Sequence, residues 1–257
     1  MHPILRKEAF ICDMDGVIYH GNRLLSGVVA FVEYLQTNQK RYLFLTNSSE
    51  RSPRELAQKL SRLGLEVPPE HFYTSALATA AFLSAQSPGC SVYAIGEPGL
   101  LNALYEAGMT MNDVNPDYVV IGESKSYTYD TMTKAIRLVL GGARLIGTNP
   151  DTTGPTEGGI VPACGSLVAP VELATSCKAY YLGKPNPLMM RSAMKRLAAK
   201  REESVIIGDR MDTDILAGIE SEIDTVLVLT GVTAEADIRR YPYRPQYVVA
   251  GVAALIG

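Results

Sequence analysis

Short apolar runs alternate with helix-patterned segments along almost the whole chain, and that alternation constrains the fold more than any other feature. The runs are "EAFIC" (8–12), "RYLFLT" (41–46), "SVYAIG" (91–96), "DYVVIG" (117–122), "ARLIG" (143–147), "SVIIGD" (204–209), "DTVLVLT" (224–230) and "QYVV" (246–249). "RYLFLT" is rich in β-formers and apolar on both faces, as a buried parallel strand is. Between the runs, Val28, Phe31, Val32 and Leu35 share one helical face. Ser52-Pro53-Arg54-Glu55 is a capping box with proline at the first helical position; Leu56, Leu60 and Leu63 supply that helix's buried stripe, and Gly64 closes it. Further helices are predicted near 76–86, 99–107, 129–141, 166–175 and 213–221. Strands and helices in this order predict parallel sheets with helices on both faces. The expectation is two α/β lobes: a Rossmann-like core from residues 1–74 and 183–257, with residues 75–182 inserted as a second α/β domain.

Composition narrows the function classes. With 257 residues, 47% of them apolar and 20% charged, the chain can bury a proper core. A formal net charge of -3 offers no broad basic surface to a nucleic-acid polymer or an anionic membrane. No apolar run approaches the ~18–20 residues that span a bilayer, and "MHPILRKEAF" is too short and too charged for a secretory signal. Cys12, Cys90, Cys164 and Cys177 lack metal-ligand spacing and read as buried thiols of a reducing compartment. The expected setting is cytoplasmic, with homo-oligomerisation left open. The glycines of "EGGIVPACGS" match neither a P-loop nor a dinucleotide fingerprint, and "GEPGLL" reads as a turn opening a helix. His2, His20 and His71 lack ligand spacing and are expected at the surface or in packing. Tyr127 and Tyr129 are candidates for stacking on a base.

Four polar stretches end predicted strands or precede helices: Asp13-Met14-Asp15-Gly16, Thr46-Asn47-Ser48-Ser49, Gly183-Lys184-Pro185, and Gly208-Asp209-Arg210-Met211-Asp212-Thr213-Asp214. Open α/β sheets bind ligands outside the carboxyl ends of their strands, so one rim can gather all four. Singly, each has a plain structural reading: an Asx-turn, a helix cap, a solvated lysine, a loop. Together, in order, they offer carboxylates, hydroxyl and amide donors, and a lysine, an inventory suited to phosphoryl transfer. Carboxylate oxygens hold Mg²⁺; Lys184, Thr46 and backbone N–H groups meet phosphate oxygens. Asp13 is placed to attack phosphorus, and Asp15 to move the proton of the leaving group and later of water.

"DMDGV", "LTNSS", Lys184 before "PNP", and "GDRMDTDI" resemble, in order, the four motifs of the haloacid dehalogenase superfamily of phosphatases. The insertion matches the placement of a C2-type cap, and "TSALATAAFL", "DVNPDYVVIGESKSY", "TNPDTTG" and "PACGSL" are similar to caps of its nucleotide-hydrolysing members. The resemblance implies Asp13 as nucleophile and Asp15 as general acid/base. It implies Mg²⁺ on the Asp13 carboxylate, the Asp15 carbonyl and Asp209, and phosphate on Thr46, Asn47 and Lys184. Asp214 would support the metal site from behind its ligands; Asp212 is an extra acid, and the family pattern favours Asp214 for that role. The implied substrate is a small phosphomonoester, foremost a nucleoside 5′-monophosphate such as UMP or GMP, with phosphoglycolate, pyridoxal phosphate or aryl phosphates as alternatives. Residues 148–166, with Asn149 and Asp151 foremost, are the expected source of specificity or cap docking. A phospho-acceptor or phosphate-binding module is the non-enzyme alternative; the long insertion and the acid at Asp15 argue against it.

Overall fold

The structure, a computed structural model, describes residues 2–156 and 158–257; Glu157 of the Gly- and Pro-rich stretch lies outside them. In chain order the first strands are β1 (Ala9–Cys12), β2 (Tyr19–His20), β3 (Arg23–Leu24), β4 (Arg41–Thr46) and β5 (Phe72–Thr74). They are followed by β6 (Ser91–Ile95), β7 (Thr110–Met111), β8 (Tyr118–Ile121), β9 (Arg144–Gly147), β10 (Thr153–Thr156), β11 (Gly159–Pro162) and β12 (Tyr180–Tyr181). The last three are β13 (Ser204–Gly208), β14 (Asp224–Val228) and β15 (Tyr247–Val249). The helices among them are α1 (Val28–Thr37), α2 (Pro53–Arg62), α3 (Ser75–Gln86), α4 (Pro98–Glu106) and α5 (Tyr129–Leu140). After these come α6 (Cys164–Thr175), α7 (Pro187–Arg196), α8 (Leu216–Glu220) and α9 (Ala253–Ile256).

The chain divides into two compact units, one of Met1–Thr46, Ala57–Tyr73 and Lys184–Gly257, the other of Asn47–Leu56 and Thr74–Gly183. In the first, six strands form one sheet in the order β15-β14-β13-β1-β4-β5. β1 lies at its centre, parallel to both β13 and β4, with Cys12 opposite Ile207 and Phe44. β1 and β13 are buried at every residue, as strands covered on both faces must be. Helix α1 buries Val28, Phe31, Val32 and Leu35, the residues its period selects. The rings of Phe10 and Phe31 sit 6.3 Å apart, and those of Phe44 and Phe72 5.5 Å apart; each buried ring contributes roughly 1.5–3 kcal/mol. His71 stacks on Tyr42 at 4.0 Å, a packing role.

The second unit carries a parallel sheet in the order β12-β9-β8-β6-β7 and a separate β10–β11 hairpin. Its core gathers Val119, Ile121, Leu145, Cys164, Val168 and Val171 between the sheet, α5 and α6. Tyr127 belongs to this packing and donates its hydroxyl to the Leu167 carbonyl at 2.6 Å, whereas Tyr129 is exposed.

Several details depart from expectation. Cys12, Cys90 and Cys164 are buried, but Cys177 is exposed; it follows Ser176, which ends α6 in a left-handed turn (φ 58°) that carries the chain out of the core. Helix α6 starts at Cys164 rather than near 166. The helix expected near 213–221 opens as a π-turn over Met211–Ile215 before α8, with Met211 and Ile215 packed against Leu227 and Ile238.

Candidate active site

Because β1, β4 and β13 run parallel, their carboxyl ends fall along one rim. Asp13 follows β1, Thr46 ends β4, and Asp209 follows β13. Asp13 extends the ladder one step further by donating its N–H to the Ile207 carbonyl at 2.8 Å. Asp13, Thr46 and Asp209 are all buried. The chain returns to this unit at Lys184, whose Nζ lies 2.5 Å from Asp13 Oδ1 and 2.6 Å from Asp214 Oδ1.

Asp214 is fully buried, 0% exposed, and packs where a Cβ on Gly208 would collide with it. Its second oxygen accepts from the Arg210 N–H at 3.1 Å. Asp212 turns outward instead and pairs with the Arg210 guanidinium at 2.9 Å. Between Asp212 and Asp214, it is Asp214 that pairs with Lys184.

Asp15 behaves differently from Asp13 although only two residues separate them. The strand stops at Cys12 and the chain turns: the Ile18 N–H donates to the Met14 carbonyl at 2.8 Å, and the Gly16 N–H to the Tyr19 carbonyl at 2.8 Å. Asp15 is thereby left exposed while Asp13 points inward. Gly16 has φ +77°, and a Cβ there would come within 2.6 Å of Asp209 Oδ2, so glycine is needed on both counts.

Sequence reasoning missed the loop that follows β14. Thr230 Oγ1 donates to the Gly16 carbonyl at 2.6 Å. The Val232 N–H donates to Asp209 Oδ2 at 2.7 Å, and the Thr233 N–H to the Asp209 carbonyl at 3.1 Å. Any side chain on Gly231 would run into the Asp209 carboxylate. The signal was present: "TGVT" directly after a buried strand is the same strand-end pattern that marks the other motifs.

Electrostatics follow from this crowding. Burial pushes Asp13 well above the usual carboxylate range; Lys184 opposes the shift, and Asp214 and Asp209 reinforce it. Burial, then Asp214, raises Asp209 to about 6. Burial works against the charge of Lys184, but Asp13 and Asp214 outweigh it and hold the amine above its ordinary value. Asp13, Asp209 and Asp214 each present an oxygen within 4.8 Å of the others. With all three acids ionised, one buried lysine would leave the cluster net negative, and the raised Asp13 and Asp209 reflect that crowding. An oxygen-rich, anionic cluster of this kind fits a hard divalent cation.

Three other site candidates meet inside the second unit. The Asn47 amide donates to Asp151 Oδ2 at 2.9 Å, and the buried Asn149 donates to the Asn47 carbonyl at 2.8 Å. The Asp151 N–H in turn donates to Asn149 Oδ1 at 3.1 Å.

Fold and site together describe an α/β protein with a buried cluster of carboxylates and a lysine at its strand ends, and the comparisons give the class. The haloacid dehalogenase-like hydrolase family model matches residues 10–110, and a HAD-hydrolase-like model matches residues 181–255. Dihydroxyacetone phosphatase of Corynebacterium glutamicum (strain R) is 47% identical over 247 residues, covering 96% of this chain and 90% of that protein. Ribonucleotide monophosphatase NagD of Escherichia coli (strain K12) is 43% identical over 245 residues, 95% of this chain and 96% of that protein. The solved structure of E. coli NagD aligns with a TM-score of 0.91 and 42% identity, covering 96% of this chain and 97% of that one. The glycerol phosphate phosphatase of Mycobacterium tuberculosis, solved in complex with magnesium, aligns with a TM-score of 0.93 and 30% identity over 99% of this chain and 78% of that one. The chain belongs to the haloacid dehalogenase-like hydrolase family, and within it to the phosphatases. Among the described residues, no helix is long and apolar enough to cross a membrane.

Proposed function

We propose that the chain is a Mg²⁺-dependent phosphomonoesterase working through a phosphorylated Asp13. The observation that carries this reading is the buried set of Asp13, Lys184, Asp209 and Asp214 at the carboxyl ends of parallel strands. Asp13 and Asp209 would hold the cation with the Asp15 carbonyl. Asp214, with one oxygen on Lys184 and the other on the Arg210 N–H, suits support rather than ligation. When bound, the cation supplies charge neutralisation and favours the ionised form of Asp13.

The residues then divide the work. Lys184, Thr46 and Asn47 bind the phosphoryl oxygens and orient phosphorus toward Asp13. An Asp13 carboxylate oxygen attacks phosphorus; the ester P–O bond breaks, and Asp15 gives its proton to the departing alkoxide. Asp15, now ionised, takes a proton from a water that attacks phosphorus. The bond to Asp13 breaks, inorganic phosphate leaves, and both acids return to their starting states. The exposed position of Asp15 suits proton exchange with substrate and water.

The unit of Asn47–Leu56 and Thr74–Gly183 takes the part of the cap that reads the rest of the substrate. A nucleoside 5′-monophosphate is the first substrate reading, supported by the likeness to NagD. A three-carbon phosphate is the second, favoured by the 47% identity to a dihydroxyacetone phosphatase. Phosphate release with and without Mg²⁺, over UMP, GMP, AMP, dihydroxyacetone phosphate, glycerol phosphate, phosphoglycolate and pyridoxal 5′-phosphate, tests both. The highest kcat/KM identifies the class, and metal-independent release would refute the cation's role. Asp13→Asn lowers kcat by roughly 10⁴-fold or more; a variant retaining near-normal turnover would exclude Asp13 as nucleophile.

A further inference from the structure

The second unit contains an acid for which the proposed chemistry has no use. Glu123 stands just past the end of β8, as Asp13 stands past β1. Its Oε2 accepts from the Ser49 N–H at 3.0 Å and from the Ser49 hydroxyl, and its own N–H donates to Ser49 Oγ at 3.2 Å. Its Oε1 accepts from Asn149 Nδ2 at 2.6 Å. Gly122 makes room for this pairing, since a Cβ there would sit 2.5 Å from Ser49 Oγ.

The contacts converge on Asn47. Asn149 Nδ2, held by Glu123, also donates to the Asn47 carbonyl at 2.8 Å, and Ser75 Oγ donates to that same carbonyl at 2.5 Å. Asp151 takes the Asn47 side-chain amide. The backbone just after β4 is therefore fixed from the ends of β8 and β9 and the start of α3, all within one unit. A carboxylate with three donors is a strong and directional anchor. Two of its donors lie on Ser49, two residues from Asn47, and the third lies on the side chain that grips Asn47 itself.

We propose that Glu123 is a positioning residue for phosphate binding: by holding Ser49 and Asn149 it sets the placement of Asn47. This rests on reading Asn47 as a phosphate ligand of the phosphatase. Glutamine at this position keeps the shape but turns one acceptor into a donor. Either Ser49 or Asn149 then faces an N–H, and the anchor loosens without a cavity.

The test uses E123Q and S49A in the full chain. KM and kcat, the Kd of inorganic phosphate by calorimetry in Mg²⁺, and the thermal midpoint are measured for each and for wild type. E123Q raises KM and the phosphate Kd by about tenfold with a smaller change in kcat, and S49A moves both constants in the same direction by less. Unchanged KM and phosphate Kd in E123Q, with only a lower midpoint, would make Glu123 a purely structural acid and overturn the proposal. Should E123Q not fold, S49A decides: a raised phosphate Kd supports the proposal and an unchanged one overturns it. Wild type that neither binds phosphate nor releases it would instead refute the phosphatase reading of Asn47, and the positioning role with it.

Discussion

Lys184 shows how one residue serves both stability and the site. It is 2% exposed and pairs at once with Asp13 and Asp214. A buried ion pair gains little over an apolar pair, but removing one partner leaves unpaired buried charge, at a cost of about 3–5 kcal/mol. Lys184→Met is expected to lower unfolding free energy by that amount in urea at pH 7 in the absence of metal. A loss below about 1 kcal/mol would mean that the acids relax into water when the lysine goes. Asp13, Asp15, Lys184 and the three acids of the fourth motif, Asp209, Asp212 and Asp214, were legible as candidates because each carries charge close to an apolar run. Gly16, Gly231 and the Val232 N–H were not. They contribute an absent side chain or a backbone donor, and residue type alone does not mark the close approach to Asp209 that requires them.

At the scale of elements, the long buried strands and capped helices follow from local chemistry. Helix α2 begins where Ser52 and Glu55 predict: the Ser52 N–H and hydroxyl donate to Glu55 Oε2, each at 2.8 Å. The Ser52 N–H, then its hydroxyl, hold Glu55 below the usual glutamate range. Its folded pKa is lowered, so this contribution is present above the ordinary glutamate value and is lost as pH falls through the lowered one. Ser52→Ala is expected to cost about 1 kcal/mol at pH 7, and the gap from wild type should narrow in urea melts below about pH 4. A gap independent of pH would remove Glu55 from the cap. The short strands were harder to read. β2 and β3 contribute two residues each, although the intervening Gly21-Asn22 is a recognisable hairpin pair. β10 and β11 hide in a run of glycine and proline, where Pro155 and Pro162 argue against strand and all of β11 is exposed. There, pairing between neighbours sets the structure, and hydrophobic period gives no warning of it.

For the whole molecule, the second strand–helix alternation, read at 75–182, lies inside the Thr74–Gly183 segment, but nothing in the sequence marks Asn47–Leu56 as grouping with it. The division runs between Thr46 and Asn47 and through helix α2, inside elements that sequence reading treats as single pieces. Two units with separate sheets and separate cores need not melt together, and this shapes the test for metal. The acids proposed to hold the cation, Asp13 and Asp209, and Asp214 behind them all belong to the first unit. A ligand that binds only the folded state stabilises it by about 2.7 kcal/mol at 100 times its Kd. For a unit of this size each kcal/mol raises Tm by roughly 2–4 °C, so saturating Mg²⁺ should lift its transition by roughly 5–10 °C. Scanning calorimetry with Mg²⁺, and again after a chelator, measures this directly. Where two transitions are resolved, one should move and the other stay. Asp209→Asn, which keeps the shape and removes the charge, should abolish the shift while leaving the second unit's melting in place. An equal shift in that variant would place the cation elsewhere, because three carboxylates facing one buried lysine would then have no part in holding it.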